Sequence, residues 1–329
     1  MLLLAICISL PTAATVDFFW KQRDQYAAVI IRTFNTHQAD VLYFGDSSIR
    51  YHGRLDNDTT GIDQIFQKKT GLSICSIANA GFSPLLYSQY IKLLDKTSYQ
   101  PKLVIIPLNL RTSFTVPAAR RPAFDFAMRQ IDISFRRSGS FDLVKYLQYR
   151  FLGMEERLTE SWKQQPVVYN GNRLGTHSSI QDDSRIPVEL DYAPEREHFY
   201  ARQLGLKYRY HYMAPLSEAD EMFNSIDDII KYARSKNIQL LFYLTPINYQ
   251  DGKKYSGEAF TEQNNKNIAT ITKYVQARGV KLLNLANALS PADFVDKRDA
   301  YEHFNFKGRD FIAEQVAKAA AAFFPEKKW

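Results

Sequence analysis

A serine and a histidine far apart in the chain lie in sequence contexts that suit a nucleophile and its base. Ser47 closes a Gly45-Asp46-Ser47 triplet that directly follows the apolar run at residues 41–44. His303 lies just before a run with helical spacing near the carboxyl terminus. A serine at the carboxyl end of a buried strand is a candidate nucleophile, and an imidazole is the usual base for its proton. The two residues predict serine-dependent chemistry, provided that the fold brings them together.

His303 has five rivals among the histidines. His52 lies five residues after Ser47, but a helix that rises from Ser47 would turn it to another face. The other four have no comparable context and are interpreted as surface or core residues; they are His37, His177, His198 and His211. After His303, Asn305 is expected to cap the last helix and Gly308 to allow close packing. His303 is therefore the preferred base.

Two further loops follow strand-like runs and contain candidate hydrogen-bond donors. Gly81 ends the loop after Ser76-Ile77, and Asn109 follows the apolar run at residues 102–107. A glycine offers its backbone N–H at close range, and an asparagine amide donates without losing a proton, so both suit an oxyanion hole. The alternative is that each loop is a plain turn between a strand and a helix.

Together these residues resemble the four sequence blocks that define the SGNH, or GDSL, hydrolase superfamily; they are Gly45-Asp46-Ser47, Gly81, Asn109 and His303. The segment at residues 303–308 looks like the family's fourth block, His-x-Asn-x-x-Gly. The resemblance implies that His303 takes the proton of Ser47 during attack on an ester carbonyl and returns it to the leaving alcohol. It also implies an oxyanion hole made by the backbone N–H groups of Ser47 and Gly81 and the amide of Asn109.

Two positions depart from the family pattern. The third block is usually Gly-x-Asn-Asp, whereas residues 107–110 read Pro-Leu-Asn-Leu and lack the acidic neighbour. The family's acidic residue lies three positions before the histidine, where this chain has Ala300. Asp299, one residue further back, is the expected replacement as the acid behind His303. Glu302 and Asp296 are alternatives, and so is a Ser–His dyad held by a backbone carbonyl.

The elements that must position these residues are visible as five apolar runs, at residues 40–44, 73–77, 102–107, 238–244 and 280–284. Their near-continuous apolar character is typical of strands covered on both faces, as in a parallel sheet. Helical patterns lie between and after them, at residues 60–70, 84–97, 219–236, 260–278 and 306–323, with proline and glycine at several boundaries. The alternation predicts an α/β fold: a flavodoxin-like, doubly wound parallel sheet of about five strands with helices on both faces.

The alternation is interrupted after the third strand by a long, mostly helical or loop insertion. Its first part, residues 111–157, contains nine Lys and Arg against five Asp and Glu, interspersed with aromatic residues. This pattern fits an amphipathic helix on a membrane, a lid or a lining for an anionic polymer, and equally an ordinary helical subdomain. Residues 166–191 are rich in turn-forming residues and are predicted to be a long loop. The expected organisation is an SGNH-like domain in two parts, residues 17–111 and 218–329, around an insertion at residues 112–217.

Residues 1–16 are uncharged and mostly apolar, and they end near Thr12-Ala13-Ala14, which loosely fits a signal-peptidase site. No Lys or Arg precedes the apolar run, and a helix of this length spans roughly 24 Å against a hydrocarbon core of roughly 30 Å. We interpret the segment as a signal peptide or part of a membrane anchor, with a buried helix as the alternative. The expected location is outside the cytoplasm: periplasmic, secreted or membrane-anchored.

Composition excludes several classes of protein. With 45% apolar and 14% aromatic residues among 329, the chain is too apolar to be disordered. Its net charge of +7 is spread out without dense basic runs, which argues against nucleic acid as a partner and suits an anionic polymer or a membrane surface. Neither of its two cysteines has zinc-ligand spacing, and no glycine-rich phosphate loop occurs, so neither a metal nor another cofactor is expected.

These features resemble exported proteins that add or remove acyl groups on cell-envelope polysaccharides, including D-alanyl-transfer and alginate O-acetylation proteins. The expected activity is therefore that of an O-acetyltransferase or acetylesterase acting through an acyl-Ser47 intermediate. The alternative is a catalytically degenerate domain that serves as a binding or scaffold partner of a membrane-bound acyltransferase. Arg111, Asn248 and Tyr249 follow strands at the same edge of the sheet and are candidate substrate-binding residues, although each also fits a purely structural role.

Overall fold

The computed structural model describes residues 25–53, 56–79, 82–111, 164, 166–169, 172–176, 197–296 and 299–327. Within them, a five-stranded sheet has the order β2-β1-β3-β6-β7, and all its neighbouring strands are parallel. These strands are β1 (Val41–Gly45), β2 (Ile74–Ala78), β3 (Leu103–Leu108), β6 (Gln239–Leu244) and β7 (Lys281–Asn284). Each begins within one residue of an expected apolar run, so the predicted α/β fold with a parallel sheet of five strands is confirmed.

Nine α-helices surround or connect these strands in the described residues. They are α1 (Gln25–Thr36), α2 (Ser47–Arg50), α3 (Ile62–Thr70), α4 (Pro84–Tyr90), α5 (Glu197–Tyr212), α6 (Glu221–Ser235), α7 (Tyr249–Ser256), α8 (Glu258–Gln276) and α9 (Phe306–Ala320). Short 3-10 turns follow α4 at Ile91–Lys96, precede the His303 loop at Pro291–Asp293 and follow α9 at Ala321–Phe323. The five predicted helices correspond to α3, α4 with its 3-10 turn, α6, α8 and α9.

The core consists of two apolar clusters, one on each face of the sheet. Alternate residues of a strand point to opposite faces, so Leu42 and Phe44 of β1 join one cluster while Val41 and Tyr43 join the other. The first cluster packs against helices α1, α4, α6 and α8, and the second against α3 and α9. Helices therefore cover both faces, which explains why the strands are apolar at nearly every position.

The helix boundaries follow from local chemistry. Pro84 stands in the first turn of α4, where a missing N–H costs nothing. Gly71 ends α3 in the left-handed conformation, with φ of 62°, which favours glycine. Asn305 caps α9 by accepting a hydrogen bond from the backbone N–H of Gly308 at 3.0 Å. The cap fixes the chain direction immediately after His303.

Two parts of the chain differ from the sequence prediction. The predicted long loop at residues 166–191 contains an antiparallel hairpin of β4 (Pro166–Tyr169) and β5 (Asn172–Thr176), so that interpretation is wrong there. The signal was present, since an Asn-Gly dipeptide at residues 170–171 between two short runs is typical of a tight hairpin turn. Helix α7, from Tyr249 to Ser256, is not among the helices predicted from the sequence.

Other predictions fall on residues outside the described part of the chain. These include the signal peptide or anchor at residues 1–16 and most of the insertion at residues 112–217, so the proposed division into domains stays a prediction. Of the helices that the structure describes, none has the length and apolar character needed to span a membrane.

Candidate active site

Ser47 is placed by the turn that joins β1 to α2. Asp46 caps α2, and its Oδ1 accepts a hydrogen bond from the backbone N–H of Ser48 at 2.8 Å. Because Asp46 is occupied in this way and buried, it shapes the turn and leaves the partly exposed Ser47 at the first position of the helix. The serine therefore lies at the carboxyl edge of the sheet, where open α/β proteins place their chemistry.

His303 meets Ser47 across the site. Its Nε2 lies 3.1 Å from Ser47 Oγ, and its Nδ1 lies 2.6 Å from Asp296 Oδ2. The His303 side chain is only 11% exposed. One carboxylate and one hydroxyl therefore contact its two ring nitrogens in a nearly buried position. This is the geometry of a Ser-His-Asp triad.

A short backbone pairing brings Asp296 beside His303. Phe294 and Phe304 form an isolated antiparallel bridge, and the N–H of Val295 donates to the carbonyl of His303 at 3.1 Å. Because these two segments run side by side, the carboxylate of Asp296, the residue after Val295, lies next to the imidazole. Asp296 was the second alternative acid in the sequence analysis, and its contact also removes the need for a dyad held by a carbonyl.

The expectation that Asp299 stands behind His303 is corrected. Asp299 Oδ2 lies 3.4 Å from Lys207 Nζ, and Oδ1 accepts from the backbone N–H of Ala300 at 2.9 Å. Burial raises the pKa of Asp299, although Lys207 opposes this. Asp299 therefore belongs to a buried ion pair with α5 and does not face the imidazole.

Glu302, the other alternative acid, is also engaged elsewhere. It is fully buried, and Oε2 accepts from Arg111 Nε at 2.8 Å while Oε1 lies 2.7 Å from the Tyr212 hydroxyl. Arg111 is consequently part of a buried ion pair, at 7% exposure, and is not available to hold an anionic substrate as expected. Burial alone lowers the pKa of Arg111, but the Glu302 carboxylate outweighs it and raises the pKa.

The remaining two candidate binding residues have local structural partners. Asn248 caps α7, where its side chain bonds to Asp251 through both the carbonyl and the amide. The Tyr249 hydroxyl lies 2.8 Å from Asn265 Oδ1 and 3.2 Å from the Thr261 carbonyl. Both contacts correspond to the structural alternative given for these residues.

Two of the expected oxyanion donors, Ser47 and Asn109, follow neighbouring strands of the sheet. Tyr43 of β1 is paired with Ile105 of β3, and Ser47 and Asn109 each lie four residues further along the same parallel direction. Asn109 is buried directly after β3, at 1% exposure. The topology therefore brings Asn109 to the side of Ser47. Gly81 lies outside the described residues, so its role stays a prediction.

Two tyrosines that the sequence analysis did not single out surround the imidazole. Tyr51 stacks on His303, with ring centroids 4.1 Å apart and an interplanar angle of 21°. Tyr301 lies 5.6 Å from His303 at 57°. The signal for Tyr51 was its spacing of four from Ser47, which is one helical turn.

Neither a metal-binding cluster nor a reactive thiol is found among the described residues. No group of three or more His, Cys, Asp or Glu among them is placed to hold a metal ion. Cys75 is buried in the core, and burial raises its pKa to about 12, which suppresses the reactive thiolate. The hydroxyl, imidazole and carboxylate that are arranged for catalysis are those of Ser47, His303 and Asp296.

No protein-family model and no curated protein matches the chain. Among solved structures, it is similar to a protein from Bacteroides fragilis that is named a putative acylhydrolase, with 12% identity, a TM-score of 0.38 and 86% coverage of both chains. It is also similar to a variant of an acetyl-xylooligosaccharide esterase from Geobacillus, with 10% identity, a TM-score of 0.40 and coverage of 85% of this chain and 93% of that one. A GDSL-like lipase from Bacteroides thetaiotaomicron has 12% identity, a TM-score of 0.38 and coverage of 92% and 98%.

Likenesses of this degree do not decide an activity. The chain's own parallel sheet and the contact between Ser47 and His303 agree with its resemblance to SGNH hydrolases. What the site can do is therefore argued from its geometry.

Proposed function

We propose that the protein is a serine esterase or O-acyltransferase that forms an acyl-Ser47 intermediate. One observation carries the proposal: the continuous contact from Ser47 Oγ through His303 to Asp296, with distances of 3.1 and 2.6 Å. A nucleophile, a base within hydrogen-bond reach and a third group that orients the base are the parts that covalent acyl transfer requires.

The steps of the reaction follow from this contact. Ser47 Oγ attacks the ester carbonyl while His303 Nε2 accepts its proton. Asp296 accepts a hydrogen bond from Nδ1–H, which leaves Nε2 free of a proton at the start and stabilises the imidazolium that forms. The oxyanion receives hydrogen bonds from the backbone N–H of Ser47 and the amide of Asn109. His303 then donates its proton to the leaving alcohol, and an acyl-serine remains.

The second half of the reaction decides between hydrolysis and transfer. Water that attacks the acyl-serine regenerates the enzyme as an esterase, whereas a sugar hydroxyl makes it a transferase. We propose an O-acylated polysaccharide of the cell envelope or extracellular matrix as the substrate or acceptor, reached by an exported protein. The support is the apolar amino-terminal segment and the basic, aromatic composition of residues 111–157, which suits an extended anionic or carbohydrate chain.

The alternative, a degenerate domain that assists a membrane-bound acyltransferase, rested on Ala300 at the family's acid position. Asp296 supplies a carboxylate to His303 from a different position in the chain, at 2.6 Å. An alanine at position 300 is therefore compatible with an active site, and the main argument for the degenerate domain is lost.

A fluorophosphonate probe tests the chemistry directly. We expect intact-mass spectrometry to show one covalent adduct on the folded protein, none on Ser47→Ala, and peptide mapping to place it on Ser47. A Ser48→Ala variant is the matched control, because Ser48 is the adjacent serine and is buried at 1% exposure. Folded protein that is not labelled at Ser47 would refute the proposal.

A cellular experiment distinguishes the two outcomes of the acyl-serine. Ester content of the envelope polymer is measured by NMR in a strain that lacks the gene and in a Ser47→Ala strain. More ester than in the parent indicates an esterase, and less ester indicates a transferase. Unchanged ester in both strains would exclude a role on that polymer.

A further inference from the structure

Exposed aromatic rings are concentrated near the triad. Only three large hydrophobic side chains in the described part of the chain are exposed, namely Val29, Tyr51 and Phe306. Two of them lie close in sequence to the triad: Tyr51 is four residues after Ser47, and Phe306 is three after His303. An aromatic side chain left in water beside a reactive centre needs an explanation, because exposed apolar surface often marks a binding site.

Tyr51 is the more firmly placed of the two. Its backbone N–H donates to the Ser47 carbonyl at 2.8 Å, and Arg309, which is fully buried, donates to the Tyr51 carbonyl at 3.4 Å. Arg309 also donates to the carbonyl of Phe304, the residue after His303, at 2.6 Å. Tyr51 is thus tied through the backbone to Ser47 and, through Arg309, to the loop that carries the histidine.

The inner face of the Tyr51 ring covers the imidazole. The two rings stack at 4.1 Å and 21°, so rotation of the imidazole out of its plane would collide with the phenol. The distances from the imidazole to Ser47 and Asp296 require one plane to be kept through both proton transfers. The stacked ring opposes departure from that plane.

Tyr51 is nevertheless well exposed to solvent. Tyr51 is 46% exposed, whereas His303 is 9% exposed. Because stacking covers one face of the phenol, its exposed area belongs to the other face and the edges. A flat apolar surface with a polar tip, one ring away from the base, is suited to stack on a sugar ring next to the ester under attack.

We propose that Tyr51 is a two-sided residue of this site, whose inner face positions His303 and whose outer face binds a pyranose ring of the substrate. The inference rests on the proposed esterase or acyltransferase function and adds to it a residue that selects carbohydrate esters. Tyr51 takes no part in proton transfer; it is a positioning and specificity residue.

The test separates the two faces by substrate. Wild type, Tyr51→Leu and Tyr51→Phe are compared on vinyl acetate, which has no ring, and on partially O-acetylated cellotetraose, with released acetic acid followed by pH-stat. Tyr51→Leu is expected to lower kcat on both substrates by about threefold to tenfold and to raise KM by a similar factor on the cellotetraose ester alone. Tyr51→Phe, which keeps both faces, is expected to restore both constants. A purely structural role would not produce a substrate-dependent KM.

Phe306→Leu is the matched control, because it removes an exposed ring that lies in the first turn of α9 and is not stacked on the imidazole in the structure. We expect it to leave kcat on vinyl acetate unchanged. The rate at which a fluorophosphonate labels Ser47 provides a second measurement that needs no turnover, and Tyr51→Leu is expected to slow it by the same factor as kcat.

Each contrary result has a distinct meaning. Folded wild type that is not labelled at Ser47 refutes the proposed function and this inference together. If Ser47 is labelled normally but Tyr51→Leu changes KM equally on both esters, the outer face of Tyr51 does not bind a sugar ring, and the esterase chemistry stands. The same conclusion follows if wild type is active on vinyl acetate but not on acetylated cellotetraose. An unchanged labelling rate in Tyr51→Leu would show that the inner face of Tyr51 does not position His303.

Discussion

Asp296 has a role that only its contact with His303 reveals. Its carboxylate accepts from Nδ1 at 2.6 Å and is 17% exposed, so little water competes for the imidazole. An amide at this position would offer an N–H or a weaker acceptor and would favour the wrong tautomer. We therefore expect Asp296→Asn to lower kcat on the order of 10⁴-fold while the protein stays folded.

Asp299→Asn is the control for that measurement, because the carboxylate three residues away is paired with Lys207. Steady-state rates on vinyl acetate are compared for the two variants, with circular dichroism as the check on folding. If Asp299→Asn lost as much kcat as Asp296→Asn, the assignment of Asp296 would fail.

Asn109 is expected to act in the transition state and hardly at all in binding. Charge develops on the carbonyl oxygen only as Ser47 attacks, so loss of one donor affects kcat more than KM. We expect Asn109→Ala to lower kcat about 100-fold to 1000-fold with KM within about threefold. If Asn109→Ala kept a kcat within about twofold of wild type, the oxyanion role of Asn109 would be contradicted.

The residues of the site differ in how far the sequence alone predicts them. Ser47 and His303 lie next to the elements that position them, so a local motif is enough. Asp296 is positioned by the pairing of Val295 with His303, a contact that forms only in the tertiary structure. The resemblance to SGNH hydrolases implied an acid at position 300, where this chain has alanine, and therefore favoured the neighbouring Asp299. The spacing of four residues places Tyr51 near Ser47, but it does not show that the Tyr51 ring covers the imidazole, which is also a tertiary contact.

At the scale of elements, a buried network holds the catalytic loop against the rest of the domain. Arg111 after β3 donates to Glu302, and the Tyr212 hydroxyl at the end of α5 contacts both Glu302 and the Ala300 carbonyl. A second pair links Lys207 of α5 to Asp299. The loop that carries His303 is thus fixed from two sides, and α5 is anchored to the site.

Removing one partner of this network leaves a buried charge uncompensated. We expect Glu302→Gln to lower the free energy of unfolding by about 3–5 kcal/mol. Replacing both charged partners, in Arg111→Met with Glu302→Leu, is expected to cost less than the single change. Urea unfolding followed by circular dichroism measures all three proteins, and a double variant less stable than Glu302→Gln would contradict the argument.

The elements themselves were largely predictable, for a physical reason. Strands buried on both faces are apolar at nearly every position, and helices that cover them keep a periodic apolar face. The short helix α2 and the hairpin of β4 and β5 lack such a face. The sequence signals for them are only one or two residues long, namely Asp46 before α2 and the Asn-Gly dipeptide at residues 170–171.

At the scale of the whole molecule, carboxylates paired with cations link segments distant in sequence. Asp40 contacts Lys102, Asp95 contacts Lys236 and Asp227 contacts Arg278. Burial alone raises the pKa of each, but hydrogen bonds and cations outweigh it and hold each pKa below its ordinary value. Such groups stabilise the fold above the unfolded pKa of about 3.9, and that stability is lost as the pH falls through the lower folded pKa.

Asp56 and Asp299 are shifted in opposite directions and make the sign of this effect testable. Burial raises the pKa of Asp56, but hydrogen bonds from Arg309 and the Gly53 N–H lower it overall. Its contribution is therefore present at neutral pH and is lost on acidification. The pKa of Asp299 is raised by burial, so its contribution is fully present below the unfolded pKa and is lost as the pH rises through the folded pKa.

We expect the two asparagine variants to show opposite pH trends in urea unfolding between pH 7 and pH 3. The stability difference between wild type and Asp56→Asn should shrink as the pH falls, because the wild-type carboxylate becomes protonated and loses its advantage over the amide. The difference for Asp299→Asn should grow over the same range, because wild type regains stability on protonation and the amide does not. Parallel trends in the two series would contradict the assigned shifts, whereas opposite trends would show that acid removes stability at Asp56, whose pKa is lowered in the fold, and not at Asp299, whose pKa is raised.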